Sequence, residues 1–223
     1  MGTKWLGTSY SAPDDISDEV LVAHEMTREF YEAFVRERAE RDRSAPKVGE
    51  TAPDFSLERL PTETTPPGWF RLADGRGRPV ALAFGSYTAT PFRRQVPRLN
   101  EVYDEFHDQV DFCCVYIHEA HPDDGWQIAA NITDGVVYDE PGTMEQRREI
   151  ADAFVSRCAV RMPVLLDDIT NEVDRLYAAM PMRLYLIDED GTVVFRTVVG
   201  SPGFDIESWA QAIRAHVDDR TST

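Results

Sequence analysis

Apolar positions along this chain fall into runs of two kinds. Val80 to Ala83 and Val110 to Ile117 are short and nearly continuous. Such runs predict strands near the middle of a sheet, covered on both faces. The stretch between them, Arg93 to His107, alternates apolar and polar residues with a helical period. Strand, helix and strand in that order make a βαβ unit with a right-handed crossover and parallel pairing. Upstream, Ile16, Val20, Ala23, Thr27, Phe30 and Phe34 recur at spacings of three and four. They predict one long helix from Ile16 to Arg43 with a single apolar stripe.

The second half repeats these signals. Met144 to Val160 reads as a helix with Thr143 as its N-cap and Ile150, Phe154 and Val155 inward. Pro163 to Leu166 is a short strand, and Thr170 to Ala179 a further helix. Arg183 to Ile187 and Thr192 to Val199 flank the turn Asp188 to Gly191 and read as a β-hairpin. Ile206 to Val217 closes the chain as an amphipathic helix, and the polar end is expected to fray. His118 to Asp139 is polar and irregular. The expected organisation is an N-terminal arm and helix over 1–45, an α/β domain over 46–218 and a tail over 219–223.

Charge narrows the function classes. The 223 residues carry 23 Lys and Arg against 40 Asp and Glu, a net charge of −17. A surface this acidic repels phosphate backbones and anionic membranes, which argues against nucleic-acid and membrane partners. The opening Met1-Gly-Thr-Lys-Trp lacks the apolar core of a secretion signal, so a cytoplasmic location is expected. Cys113, Cys114 and Cys158 form no metal or disulfide spacing. The adjacent pair should point to opposite faces of a strand. No cofactor and no metal site is expected. Asn131-Ile-Thr133 has the form of a glycosylation acceptor but no secretory context.

The stretch Phe84-Gly-Ser-Tyr-Thr-Ala-Thr-Pro-Phe92 lies between the first strong strand and its helix. A strand that ends in a polar turn and feeds a helix start is where open α/β folds place chemistry. The turn resembles that of the iodothyronine deiodinase family, which reads Phe-Gly-Ser-Cys-Thr-Sec-Pro-Pro-Phe. Two more segments carry the resemblance in the same order. The family's Tyr-Ile-Glu-Glu-Ala-His, ending Asp-Gly-Trp, is matched by Tyr116-Ile-His-Glu-Ala-His121 and Asp124-Gly-Trp126. Its Pro-Glu-Arg-Leu-Tyr-Val-Ile is matched by Pro181-Met-Arg-Leu-Tyr-Leu-Ile187.

The resemblance implies an α/β thioredoxin-like fold, a central mixed sheet flanked by helices, here with an extra N-terminal helix. It also implies a cis Met180–Pro181 bond beside the turn. Ala89 then stands where the family has its selenocysteine or cysteine, and Tyr87 where a neighbouring cysteine often sits. Met162 replaces a further family cysteine, and Tyr138 a downstream histidine. Tyr116, Glu119, His121, Trp126 and Arg183 are retained, and the resemblance places them around the substrate cleft.

A methyl group cannot act as the thiolate that reductive dehalogenation by this route requires. The first reading is therefore a non-redox enzyme or binder that takes a small aromatic or carboxylate-bearing molecule. In it His121 is the acid/base, Glu119 its orienter and Tyr87 a ligand contact. Ser86, Thr88, Thr90 and Arg183 favour an anion at the helix start, with Tyr116, Trp126, Tyr138 and Pro181 lining the cleft. The alternatives are a pseudoenzyme scaffold and a thiol-dependent oxidoreductase using another cysteine. The N-terminal helix or the sheet edge offers a route to a homodimer.

Overall fold

The computed structural model describes residues 17–23, 27–63, 65–75, 77–197 and 204–221. Their strands form one mixed sheet. The strands are β1 (Ser56–Arg59), β2 (Gly68–Arg71), β3 (Val80–Gly85), β4 (Asp111–Tyr116), β5 (Val164–Leu166), β6 (Arg183–Ile187) and β7 (Val193–Arg196), in the order β2-β1-β5-β4-β3-β6-β7. The two strongest apolar runs, β3 and β4, lie at the centre and pair in parallel with Ala81 opposite Phe112 and Phe84 opposite Val115. β5 continues the parallel set; β6, β7, β1 and β2 are antiparallel additions.

Side-chain alternation splits the core into two layers. Ala81, Ala83, Cys114, Tyr116, Leu184 and Leu186 face one layer, with Phe92, Leu99, Phe154 and Trp209 from the helices. Leu82, Phe84, Cys113, Val115, Tyr185 and Ile187 face the other, with Phe55 and Tyr177. Trp209 is wholly buried and donates its indole N–H to the Tyr185 carbonyl. Cys113 and Cys114 lie on opposite faces, as the alternation predicts. Burial pushes both thiols up, Cys114 to about 12, so neither is a nucleophile near neutral pH.

The helices are α1 (Asp18–Ala23), α2 (Arg28–Ser44), α3 (Thr90–Arg94), α4 (Val96–Phe106), α5 (Ala129–Asp134), α6 (Met144–Cys158), α7 (Glu172–Tyr177) and α8 (Ile206–Thr221). No helix among the described residues is long and apolar enough to cross a membrane.

Several elements differ from the sequence expectation for identifiable reasons. The single N-terminal helix is two. Thr27 caps α2 by accepting the Phe30 N–H at 3.1 Å, so it begins a helix instead of continuing one. The break resets the phase: Tyr31 is buried at 4% exposure while Phe30 is 46% exposed and Thr27 is exposed. Ile16 lies outside the described residues, as do the side chains of Val20, Ala23 and Phe34.

The helix expected from Arg93 to His107 is also split. Pro97 has no N–H to bond back to Arg93 and its ring crowds that carbonyl, so α3 ends and α4 begins at Gln95. The irregular stretch 118–139 contains α5, closed by Gly135 in the left-handed region at φ 66°. The expected fraying tail is helical through Thr221. Arg220 and His216 both hold Glu189, at 2.6 and 3.0 Å.

Gly85 ends β3 because no side chain fits there. A Cβ would lie 2.4–2.6 Å from the Phe92 ring. Gly85→Ala is therefore expected to lower the unfolding free energy by about 1–3 kcal/mol. In urea titrations, Gly85→Ala combined with Phe92→Leu should cost less than the two single changes added together. Full additivity would show that the ring does not set the limit at position 85.

Candidate functional site

The turn from Ser86 to Ala89 leaves the C-terminal end of β3 and enters α3. It is hydroxyl-rich, and every hydroxyl is turned inward. Ser86, Thr88 and Thr90 are fully buried. Ser86 Oγ accepts the Ala120 N–H at 3.1 Å. Thr88 donates both its N–H and its Oγ1–H to Glu119 Oε2, at 3.0 and 2.6 Å. Its Oγ1 also accepts the His121 N–H at 3.1 Å. Thr90 Oγ1 donates to Asn131 Oδ1 at 2.8 Å and accepts from Arg93.

Glu119 is the hub. Tyr116, at the end of β4, donates its phenol to Glu119 Oε1 at 2.5 Å and accepts the Tyr87 N–H at 3.1 Å. Burial raises the Glu119 pKa, against the hydrogen bonds from Thr88 and Tyr116. Burial and the neighbouring Glu119 charge raise that of Tyr116, which stays a neutral donor. The Glu119 N–H reaches Glu140 Oε2 at 2.7 Å, and Glu140 Oε1 meets the buried Arg147 at 3.2 Å. Arg147 also holds the carbonyls of Asp167 and Asp168, and so ties α6 to the end of β5.

Two residues outside the sequence-predicted set complete this core. Asn131, fully buried on α5, donates to the Thr88 carbonyl at 3.0 Å and accepts from Thr90 and Arg93. Arg93 is buried and pairs with Asp134. Asn131 heads the glycosylation-like triplet, whose spacing carries no signal of this inward role.

His121 and Glu119 are not brought together. The chain bends at residues 118, 120 and 121, so Glu119 and His121 do not share one face as neighbours two apart in an extended segment would. Instead His121 Nδ1 lies 3.0 Å from the Trp126 carbonyl. A carbonyl accepts only, so Nδ1 carries the proton and Nε2 keeps its lone pair. Burial lowers the His121 pKa from 6.5 to about 4. Trp126 packs edge-on against His121 at 4.6 Å and against Phe30 of α2 at 5.9 Å.

The remaining predicted residues separate by face. Tyr87 is buried between Tyr138 and Phe154, with ring centroids at 5.6 and 5.8 Å, and its hydroxyl meets Arg157. Tyr138 is half-buried. Arg183 is opposite Phe84 in the register and lies on the other face of the sheet from Tyr116. It is satisfied by the Thr197 and Ala178 carbonyls and by Asp42 of α2 at 2.5 Å. An ion pair with a carboxylate of the same chain thus takes the place of the expected anion.

His118 is half-buried, with Nδ1 3.4 Å from Asp174 Oδ2. The Met180–Pro181 bond is cis, and the Met180 N–H is held by Asp174 at 2.7 Å. Among the described residues no group of three or more His, Cys, Asp or Glu is placed to hold a metal.

Fold and turn together define a thioredoxin-type α/β protein with a buried polar turn at the head of the helix after β3. Solved structures share the fold alone. A thiol:disulfide interchange protein from Bacteroides sp. superposes with TM-score 0.52 at 16% identity, covering 78% of this chain and 91% of that one. A reduced Plasmodium vivax 2-Cys peroxiredoxin gives 0.54 at 18%, covering 79% and 99%.

The sequence is more specific than the fold. The profile described as iodothyronine deiodinase matches residues 14–217, and the chain belongs to that family. Thyroxine 5-deiodinase from Bos taurus is 30% identical over 142 residues, 60% of this chain and 44% of that protein. Type I iodothyronine deiodinase from Xenopus laevis is 32% identical over 130 residues, 58% of this chain and 49% of that protein. The chain thus spans a little under half the length of these relatives.

The enclosure of His121 makes stability depend on pH. Between pH 6.5 and about 4 the unfolded chain binds a proton at this histidine that the folded chain refuses. Stability from this group is present above 6.5 and is lost as pH falls through that window. Asp167 acts oppositely: burial raises its pKa to about 6, so its contribution is lost as pH rises toward 6. His121→Gln is expected to flatten the loss of stability on acidification, read by urea unfolding at stepped pH. In NMR titration the His121 ring should stay neutral until about pH 4; a midpoint near 6.5 would contradict the enclosure.

Proposed function

We propose that this chain is a non-redox member of the deiodinase family that acts by binding, its former redox turn serving as structural core. By the family resemblance, position 89 corresponds to the selenocysteine or cysteine nucleophile and position 87 to its neighbouring cysteine. The observation that carries the reading is the state of the turn. Ala89 is 1% exposed, and Ser86, Thr88 and Thr90 spend their hydroxyls on protein groups. Reductive dehalogenation by the family's route needs a thiolate or selenolate at that point to take the halogen. Cys113 and Cys114 are buried in β4, and burial raises the Cys158 thiol at the end of α6. That speaks against the thiol-dependent alternative. Val22 and Phe30 of the N-terminal helices are exposed and suit a partner surface, including a second copy of the chain.

A second reading has its own support. The His121 ring is only partly buried, and with Nδ1 committed to Trp126 its Nε2 is left as an acceptor for a hydroxyl of a small aromatic ligand. Tyr138 and Pro181 would then flank the ligand. A cytoplasmic setting belongs to both readings.

Incubated with an iodinated phenol and dithiothreitol, the wild-type chain is expected to release no iodide above a protein-free control. Steady release over many turnovers overturns the binding reading and returns the chain to catalysis. Native mass spectrometry of freshly purified protein separates the two readings. A co-purifying aromatic molecule lost in His121→Gln favours the second; an unliganded mass favours the first.

A further inference from the structure

A cleft away from the turn carries a different chemistry. It lies where the end of β5 meets β1 and the start of α7, and its volume is about 390 Å³. That is within the usual range of small-molecule sites. Leu57, Leu166 and Val173 are buried and form its apolar floor. Trp69 of the edge strand β2 and Leu176 of α7 stand exposed at its rim, Trp69 at 67%. A large aromatic ring this open to water is suited to stacking on a ligand.

The polar groups of the cleft carry one sign. Asp54, Glu58, Asp168 and Glu172 all line it. Asp54 is paired with Arg71 at 2.9 Å and Glu58 with Arg148 at 2.7 Å. Asp168 and Glu172 have no cationic partner among the described residues. Asp168 Oδ1 accepts from Thr170 Oγ1 at 2.6 Å and the Glu172 N–H at 3.4 Å, and the backbone N–H groups of Thr170 and Asn171 also support its charge. The uncompensated charge of the cleft is therefore negative and sits on the α7 side, beside an apolar floor. Such a surface rejects carboxylates and phosphates. It matches a protonated amine on an apolar body, whose cation can meet Trp69 or the two carboxylates while its body covers Leu57 and Val173.

We propose that this cleft is a binding site for a small organic amine with an aromatic or alkyl body. It shares no residue with the turn, and the proposal stands whether or not the turn is catalytic. Trp69 supplies the readout, because Trp209 is wholly buried and the contribution of any other tryptophan is removed by comparison with Trp69→Phe.

The test titrates the full chain with 4-phenylbutylamine, following tryptophan fluorescence at low ionic strength. 4-Phenylbutanol and 4-phenylbutyrate serve as the neutral and anionic counterparts. The expected result is a saturable change with the amine alone, absent in Trp69→Phe. Glu172→Gln and Asp168→Asn should each weaken binding roughly fivefold, as loss of a partly exposed charge pair implies. Glu172 is exposed, so its variant is expected to fold, and circular dichroism checks this. Equal response to the alcohol, no saturation with the amine, or an unchanged affinity in Glu172→Gln overturns the proposal. So does binding of an arginine-rich peptide without binding of the amine, which would assign the cleft to a protein partner.

Discussion

One buried carboxylate holds the turn after β3 to the end of β4. Glu119 lies wholly inside the protein, and the cost of removing it from water is met by three donors: the Thr88 N–H, the Thr88 hydroxyl and the Tyr116 phenol. The donors come from two pieces of the fold's centre. Thr88 is the turn after β3, and Tyr116 is the last residue of β4. The Tyr116 oxygen in turn receives the Tyr87 N–H, so the turn is gripped twice. Removing any one partner would strand a charge or a donor in a place water does not reach, which is why such networks behave as units. The turn is therefore rigid by construction, and its geometry is set from β4 and the segment after it.

Buried arginines extend the same logic outward. Arg93 joins the turn to α5, Arg147 joins α6 to the end of β5, and Arg183 joins β6 to α2. Each guanidinium reaches one carboxylate and at least one other oxygen, which fixes its direction, although the buried Arg147 Nε has no hydrogen-bond partner among the described residues. A side chain of a type that elsewhere clamps anions serves here to close loops onto the sheet.

The sequence was most legible where one signal acted alone. Val80 to Ala83 and Val110 to Ile117 are unbroken apolar runs, and they became the central parallel pair. Thr143 stands directly before a periodic segment and caps α6 through the Gln146 N–H. Legibility failed where a residue satisfied two patterns at once. Thr27 fits the spacing of an apolar stripe and also the chemistry of a cap, and the cap prevailed. Arg183 precedes Leu, Tyr, Leu and Ile, all apolar, so alternation gave no hint of which face it takes. Asn131 sits in a polar stretch without period, and its partners are about forty residues away in sequence. Such long-range hydrogen bonds leave no local trace.

α2 is fastened at both ends across the rim of the sheet. Phe30 leans on Trp126 at one end; at the other, Arg41 meets Asp174 and Asp42 meets both Arg183 and Arg196. A molecule that reached His121 by displacing Phe30 would compete with the helix for Trp126. Its apparent affinity would fall by the free energy of undocking, and any partner that drew α2 away would raise that affinity by the same factor. Occupancy of the rim and capture of the helix are thus two ends of one equilibrium, in which each reports on the other.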